Sequence, residues 1–216
     1  MHIDPVIFRQ YDIRGVVGKD LTPSVARAVG LAVGSEARER LGRAPRLAVG
    51  RDNRPSGPEL LAALMDGLLA TGATVLSVEL VPTPALYFAI HHLGADGGVQ
   101  VTGSHNPPEF NGLKMVLGGL PFAGEDIQGL RRRIEADRFA SGQGTASRHE
   151  VLDAYRAEIV RRVGKLDRPV AVVVDCGNGT GSVAAPRLLR ELGAEVIELF
   201  CESDGTFPNH HPDPTV

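Results

Sequence analysis

Apolar residues follow two rhythms along this chain. In short runs they alternate or are nearly continuous, and in longer stretches they recur every three or four positions, the periods of a strand and of a helix. RLAVG (Arg46 to Gly50), TVLSVEL (Thr74 to Leu80), GGVQVT (Gly97 to Thr102) and GLKMVL (Gly112 to Leu117) follow the first rhythm, with Gly, Pro or Asn flanking them. They predict strands. Thr22 to Leu41, Pro58 to Ala70, Pro84 to His92 and Glu125 to Phe139 follow the second, and Thr22 before Pro23 has the form of an N-cap followed by a first-turn proline. The helix over 125–139 carries Arg131, Arg132 and Arg133, read as a solvated face rather than a phosphate site. Strands alternating with helices predict an α/β fold with a largely parallel sheet, which places ligands at strand ends.

From Ala140 to Arg148 the chain turns to Ser, Gly, Gln and Thr, a composition suited to a linker. The expected boundary therefore separates a first domain, 1–142, from a second that begins at 149 and runs to 216. The second opens with a helix (Glu150 to Val163), a strand PVAVVVD (Pro169 to Asp175), the turn CGNGTGS, a helical stretch from Val183 to Leu192 and a strand AEVIELF. Two strands and a helix beyond the lead-in bury little surface, so a fragment of a longer protein is expected, with an apolar face through which it could self-associate.

Composition narrows the class without naming it. The 216 residues are 43% hydrophobic, and 23 Lys and Arg against 26 Asp and Glu give a net charge of −3 with no block of one sign. Neither nucleic acid nor an anionic membrane is called for as a partner. No apolar run approaches the roughly 20 residues that span a bilayer, and MHIDPVIFRQYD is too polar for a signal peptide, so a cytoplasmic location is the expectation. Cys176 and Cys201 are too few for a disulfide framework and are read as buried thiols.

The segment richest in chemistry is Val101-Thr-Gly-Ser-His-Asn-Pro-Pro-Glu-Phe-Asn-Gly-Leu-Lys114. It directly follows a strand, Gly103 permits close backbone approach, and Pro107 and Pro108 stiffen the turn. A stiff loop presenting one hydroxyl, Ser104, beside the donors His105 and Asn106 suits nucleophilic catalysis. A phosphorylated Ser104 would carry about −1.5 to −2 charge and need cations such as Lys114 nearby. The same residues also read as an ordinary Asn/Pro/Gly turn, and local physics leaves both readings open. A hydrolase nucleophile elbow is disfavoured, since G-x-S-x-G needs glycine where Asn106 stands.

TGSHNPPEFNGLK closely resembles the phosphoserine loop of the α-D-phosphohexomutase superfamily. FRQYDIRG (Phe8 to Gly15), AVGRDNRPSGPEL (Ala48 to Leu60) with VPTP (Val81 to Pro84), and DCGNG (Asp175 to Gly179) with DGTFPNHHPDP (Asp204 to Pro214) resemble the same family in the same order. The likeness is greatest to the bacterial phosphomannomutase/phosphoglucomutase branch, the glucosamine-phosphate branch having Ala in place of Gly103. It implies a mixed-sheet α/β sandwich domain followed by the start of a second similar domain. It also implies reversible conversion between the 1- and 6-phosphates of mannose or glucose through glucose 1,6-bisphosphate or its mannose counterpart. Family members have four domains and an Asp-rich DGDGDR-like loop that binds Mg2+, and this chain ends before that loop, so alone it is expected to be inactive.

The resemblance assigns roles residue by residue. Ser104 is the phosphoryl carrier, a phosphate oxygen on it being a ligand of Mg2+. Lys114 manages the sugar hydroxyl proton, Arg14 faces the phosphoserine, Tyr11 lines the same cleft with Arg14 as substrate contacts, and His105 orients the phosphate. Each has a plainer alternative: an exposed strand lysine for Lys114, an ion pair with Asp12 for Arg14, a turn histidine for His105. The Arg51-Asp52-Asn53-Arg54 element is assigned support of the cleft. DCGNGTGS is read as a tight structural turn, because it has neither GxGxxG spacing nor a P-loop ending. His210, His211 and Asp213 are placed on a surface loop without metal, since successive histidines point apart in extended chain. The rival reading is a non-catalytic sugar-phosphate binding module.

Overall fold

A computed structural model describes residues 3–213 and 215. Met1, His2 and Val216, and Pro214 at the end of the DGTFPNHHPDP motif, lie outside the described residues. The first unit is a mixed sheet between two layers of helix. Its strands are β1 (Ile13–Val16), β2 (Arg46–Arg51), β3 (Thr74–Leu80), β4 (Gly97–Val101), β5 (Phe110–Leu117), a short β6 (Leu120–Pro121) and β7 (Thr145–Arg148). They run in the order β1-β5-β4-β2-β3-β7, with β6 paired to β5. The inner β4, β2 and β3 are parallel to one another, while β5 is antiparallel to both β4 and β1.

Side-chain alternation divides the strands between two cores. Leu47, Val49, Val75, Leu113 and Met115 point to one face, where α1 (Pro23–Leu41), α2 (Gly57–Leu69) and α4 (Glu125–Glu135) cover them. Ala48, Val78 and Val116 point to the other, beneath α3 (Thr83–His92) and the start of α5 (Leu152–Val163). Helix α1 begins as its sequence predicts, with Thr22 Oγ1 accepting from the Val25 amide at 3.3 Å, and ends on the left-handed Gly42. It meets α2 at backbone contact distance: a Cβ on Gly67 would lie 2.1 Å from the Arg27 carbonyl oxygen, so only glycine fits there.

The second unit has β8 (Ala171–Asp175) and β9 (Glu195–Leu199) in a parallel pair, joined by a 3-10 turn (Thr180–Val183) and α6 (Ala185–Glu191). Its sheet leaves Val173, Ile197, Leu199 and Phe200 exposed.

Two expectations change. The segment read as a linker is the edge of the first sheet: the Gly142 amide bonds Ala70 O, the Gly144 amide bonds Leu69 O, and β7 pairs in parallel with β3. All four β7 side chains are exposed, so the strand is recruited by main-chain hydrogen bonds alone and shows no apolar alternation. The helix over 125–139 ends at Glu135, and Asp137 adopts φ +50°. Its arginines are paired rather than merely solvated: Arg133 holds Glu36 at 2.7 Å and Glu39 at 2.6 Å, and Arg131 holds Glu135.

Candidate functional site

The winding of the sheet reverses at β2. From β2 the chain crosses by α2 to β3 on one side, then by α3, on the opposite face, to β4 on the other side. A crevice therefore opens beyond the carboxyl ends of β2 and β4, the place where open α/β sheets hold ligands. Arg51 pairs with Val101 at the last rung, so Asp52 to Arg54 and Thr102 to Ser104 leave the sheet side by side.

Arg54 organises this crevice. Its side chain is 0% exposed and all five of its N–H donors are used. Nε donates to Asp52 Oδ2 (3.1 Å), Nη1 to the carbonyls of Pro107 (2.6 Å) and Phe110 (3.0 Å), and Nη2 to those of Ser104 (3.0 Å) and Asn106 (2.6 Å). Asp52 Oδ2 also accepts from Thr102 Oγ1 (2.8 Å) and the Gly103 amide (3.1 Å). Burial pulls the Arg54 guanidinium below its ordinary pKa, and Asp52 opposes that pull. A Cβ on Gly103 would sit 2.4 Å from Arg54 Nε, so glycine is what lets the loop close over the guanidinium.

Held in this way, Ser104 takes φ +55°, a conformation L-residues seldom adopt, and is exposed in the cleft. Its amide donates to Thr102 Oγ1 at 2.9 Å. His105 beside it is exposed, and Asn106 Nδ2 turns back to the Gly103 carbonyl at 2.9 Å.

A cationic cluster forms on the next two strands, β5 and β1. Gly112 pairs with Arg14 on one side, and its carbonyl accepts from the Thr102 amide on the other, so Arg14, Gly112 and Thr102 follow one line across the sheet. Asp12 Oδ2 accepts from Arg14 Nη2 (2.5 Å) and Lys114 Nζ (3.1 Å). The ion pair weighed for Arg14 is thus present, and it gathers Lys114 into the same group. Lys114 is 27% exposed on the side-chain scale, and among the described residues Arg14 Nε is buried without a hydrogen-bond partner. Tyr11, 72% exposed, sits at the tip of the turn closed by the Arg9 amide on Asp12 O. Arg14, Lys114, Tyr11 and His105 do not line the cleft that contains Ser104.

The opposite wall of the cleft, about 630 Å3 in volume, comes from the second unit. The turn after β8 is tight, with Gly177 and Asn178 both at positive φ, and it also touches the first unit: Asn53 Nδ2 donates to Asn178 O at 2.6 Å and the Asn53 amide to Thr180 Oγ1 at 3.1 Å. His210 stands over this turn, Nε2 lying 3.1 Å from both Asp175 carboxylate oxygens and Nδ1 2.9 Å from His211 O. These contacts raise the His210 pKa above the usual histidine value. The Gly177 amide and His210 lower that of Asp175. Reading the motifs separately missed this pairing, 35 residues apart. The signal available was a histidine-bearing motif and an Asp-Cys-Gly turn that both follow the ends of predicted strands.

Both cysteines, expected as buried, are half-buried, with sulfurs 3.2 Å apart. Among the described residues no group of three or more His, Cys, Asp or Glu is arranged to hold a metal ion. Magnesium demands close to six oxygens in octahedral array. Asp52 is committed to Arg54 and Thr102, and Asp175 to His210 and the Gly177 amide, so these residues by themselves do not form its site.

Comparison with known proteins gives a consistent result. The family description "Phosphoglucomutase/phosphomannomutase, alpha/beta/alpha domain I" matches residues 5–141, and its domain II counterpart matches residues 153–216. A phosphomannomutase/phosphoglucomutase of Pseudomonas aeruginosa is 51% identical over 208 residues, covering 96% of this chain and 44% of that protein. A phosphoglucomutase of Neisseria gonorrhoeae is 50% identical over 211 residues, 97% of this chain and 45% of that one. The crystal structure of a phosphoglucomutase/phosphomannomutase family protein from Burkholderia thailandensis superposes with a TM-score of 0.94 at 49% identity, covering 100% of this chain and 48% of that chain. The chain thus spans somewhat under half the length of these relatives.

Proposed function

Because this chain belongs to the phosphoglucomutase/phosphomannomutase family, we propose that it is the phosphoserine-bearing part of a hexose-phosphate mutase, with Ser104 as the phosphoryl carrier. The observation that carries this reading is the exposed, left-handed Ser104 in a loop whose four carbonyls converge on the buried Arg54, at the switch point of the sheet. Phosphoryl transfer depends mainly on positioning and charge neutralisation, and a loop fixed from below by one guanidinium supplies the first.

In the proposed reaction the hydroxyl oxygen of a mannose or glucose monophosphate forms a new bond to phosphorus as the Ser104 Oγ–P bond breaks. The hydroxyl gives up its proton and Oγ regains one. The bisphosphorylated sugar then turns over and returns its other phosphoryl group to Ser104. Arg14 and Lys114 supply positive charge from the neighbouring strands. Lys114, which donates from Nζ to Asp12 Oδ2 at 3.1 Å, is the proposed group for the sugar hydroxyl proton. His105 next to Ser104 and Tyr11 at its exposed turn are the proposed contacts to phosphate and sugar. Magnesium, which the family resemblance implies, would neutralise phosphoryl charge.

The test is to incubate the chain, and the full-length protein of its gene, with glucose 1,6-bisphosphate and magnesium and to map phosphorylation by peptide mass spectrometry. A phosphoryl group on Ser104 supports the carrier role. Its absence from both forms, with the sugar phosphate still bound, would replace this reading with a binding module.

A further inference from the structure

Cys176 follows the last residue of β8, and Cys201 lies two residues past the end of β9. The strands are parallel with Asp175 opposite Leu199, and the Cys176 amide donates to Leu199 O at 3.1 Å. That rung holds the two backbones together and brings the sulfurs to 3.2 Å. A disulfide bond is about 2.05 Å long, so closure needs an approach of only about 1 Å. The Cys201 thiol is otherwise directed at the carbonyls of Val174 (3.4 Å) and Leu199 (3.3 Å), to which S–H is only a weak donor. The chain has no third cysteine to compete. Cys176 lines the cleft that holds Ser104, which gives a small molecule a route to the pair.

We propose that Cys176 and Cys201 are a reversible modification site, closing to an intramolecular disulfide by exchange with a low-molecular-weight disulfide such as oxidised glutathione. One cysteine thiolate attacks that disulfide, forming a mixed disulfide and releasing one small thiol. The second cysteine loses its proton, attacks the protein sulfur of the mixed disulfide and releases the other small thiol. Two protein S–H bonds and one external S–S bond are exchanged for one protein S–S bond and two external S–H bonds, with no further oxidant. Burial and the neighbouring Cys201 push the Cys176 thiol up to about 12, so its thiolate is scarce near neutral pH and exchange there is slow, accelerating as pH rises.

The bond would tie together two segments that shape the cleft. Asp175, adjacent to Cys176, holds His210. On the Cys201 side, the Glu202 carbonyl accepts from Asn178 Nδ2 at 2.9 Å, and Ser203 Oγ accepts from Asn53 Nδ2 at 3.0 Å.

The experiment treats the reduced, folded chain with oxidised glutathione, then follows alkylation of remaining thiols, intact mass and a peptide map. The expected result is loss of both reactive thiols, a mass lower by two hydrogens, a cross-linked peptide joining Cys176 to Cys201, and full reversal by dithiothreitol. Cys176→Ser and Cys201→Ser should each instead retain one glutathione adduct. Two stable glutathione adducts on the parent chain, disulfide-linked dimers, or thiols untouched while circular dichroism reports a folded chain would each overturn the proposal.

Discussion

The guanidinium of Arg54 donates from Nη2 to the carbonyl oxygen of Ser104 at 3.0 Å, 50 residues further along the chain. Through this and its neighbouring bonds a wholly buried cation fixes the conformation of an exposed serine. The serine's strained backbone is thus sustained by the first unit's core as well as by bonds within its own loop.

Replacing Arg54 should accordingly be among the most damaging single changes. Arg54→Ala leaves the Asp52 carboxylate without its cation and takes one donor from each of four carbonyls, and a cost of about 3–5 kcal/mol is expected. Arg54→Lys should recover little, because an ammonium cannot reproduce the planar fork. Urea denaturation measures both, and a midpoint for Arg54→Lys equal to that of the parent would contradict the account.

Gly103→Ala adds a methyl where only 2.4 Å is available to Arg54 Nε. The loop or the guanidinium must move, at about 1–3 kcal/mol. Thermal unfolding should show the loss, and phosphorylation of Ser104 in the full-length protein should fall with it. An unchanged melting temperature would mean that the contact relaxes freely.

At Ser104 itself stability and function should separate. Ser104→Gly relieves the left-handed strain but adds freedom to the unfolded chain, so the two terms nearly offset and stability should stay within about 1 kcal/mol of the parent. The same variant, made in the full-length protein, should lose its phosphorylation and nearly all mutase turnover. Turnover near that of the parent would remove Ser104 from the mechanism.

His210 and Asp175 make the cleft pH-sensitive in a defined window. The folded pKa of His210 is raised, so its contribution is complete below the ordinary histidine value of about 6.5 and is lost as pH climbs through the raised value. The folded pKa of Asp175 is lowered, so its contribution is present above the ordinary aspartate value of about 3.9 and is lost as pH falls through the lowered one. Between those values the pair is strongest. A proton NMR titration should find His210 above the free-histidine value in the parent and lower in Asp175→Asn, and identical titrations in the two would dissolve the link.

The sequence by itself determined the helices and the inner strands, because their apolar periods are local and each segment carries its own pattern. It also marked the Ser104 loop, whose glycine, prolines and polar residues are contiguous. The tertiary structure alone decided what reads across distance. Edge strand β7 was invisible because main-chain bonds build it with no buried side chain, and β1, four residues long, lay inside a motif read for its Arg14 and Tyr11. Asp12 could be named as a partner for Arg14 from adjacency, but its grip on Lys114 depends on the register of β1 against β5. The Arg54 network, the Asp175 and His210 pair and the two facing sulfurs each join positions 25 to 56 residues apart. Such contacts are set by strand order and register, which no local period encodes.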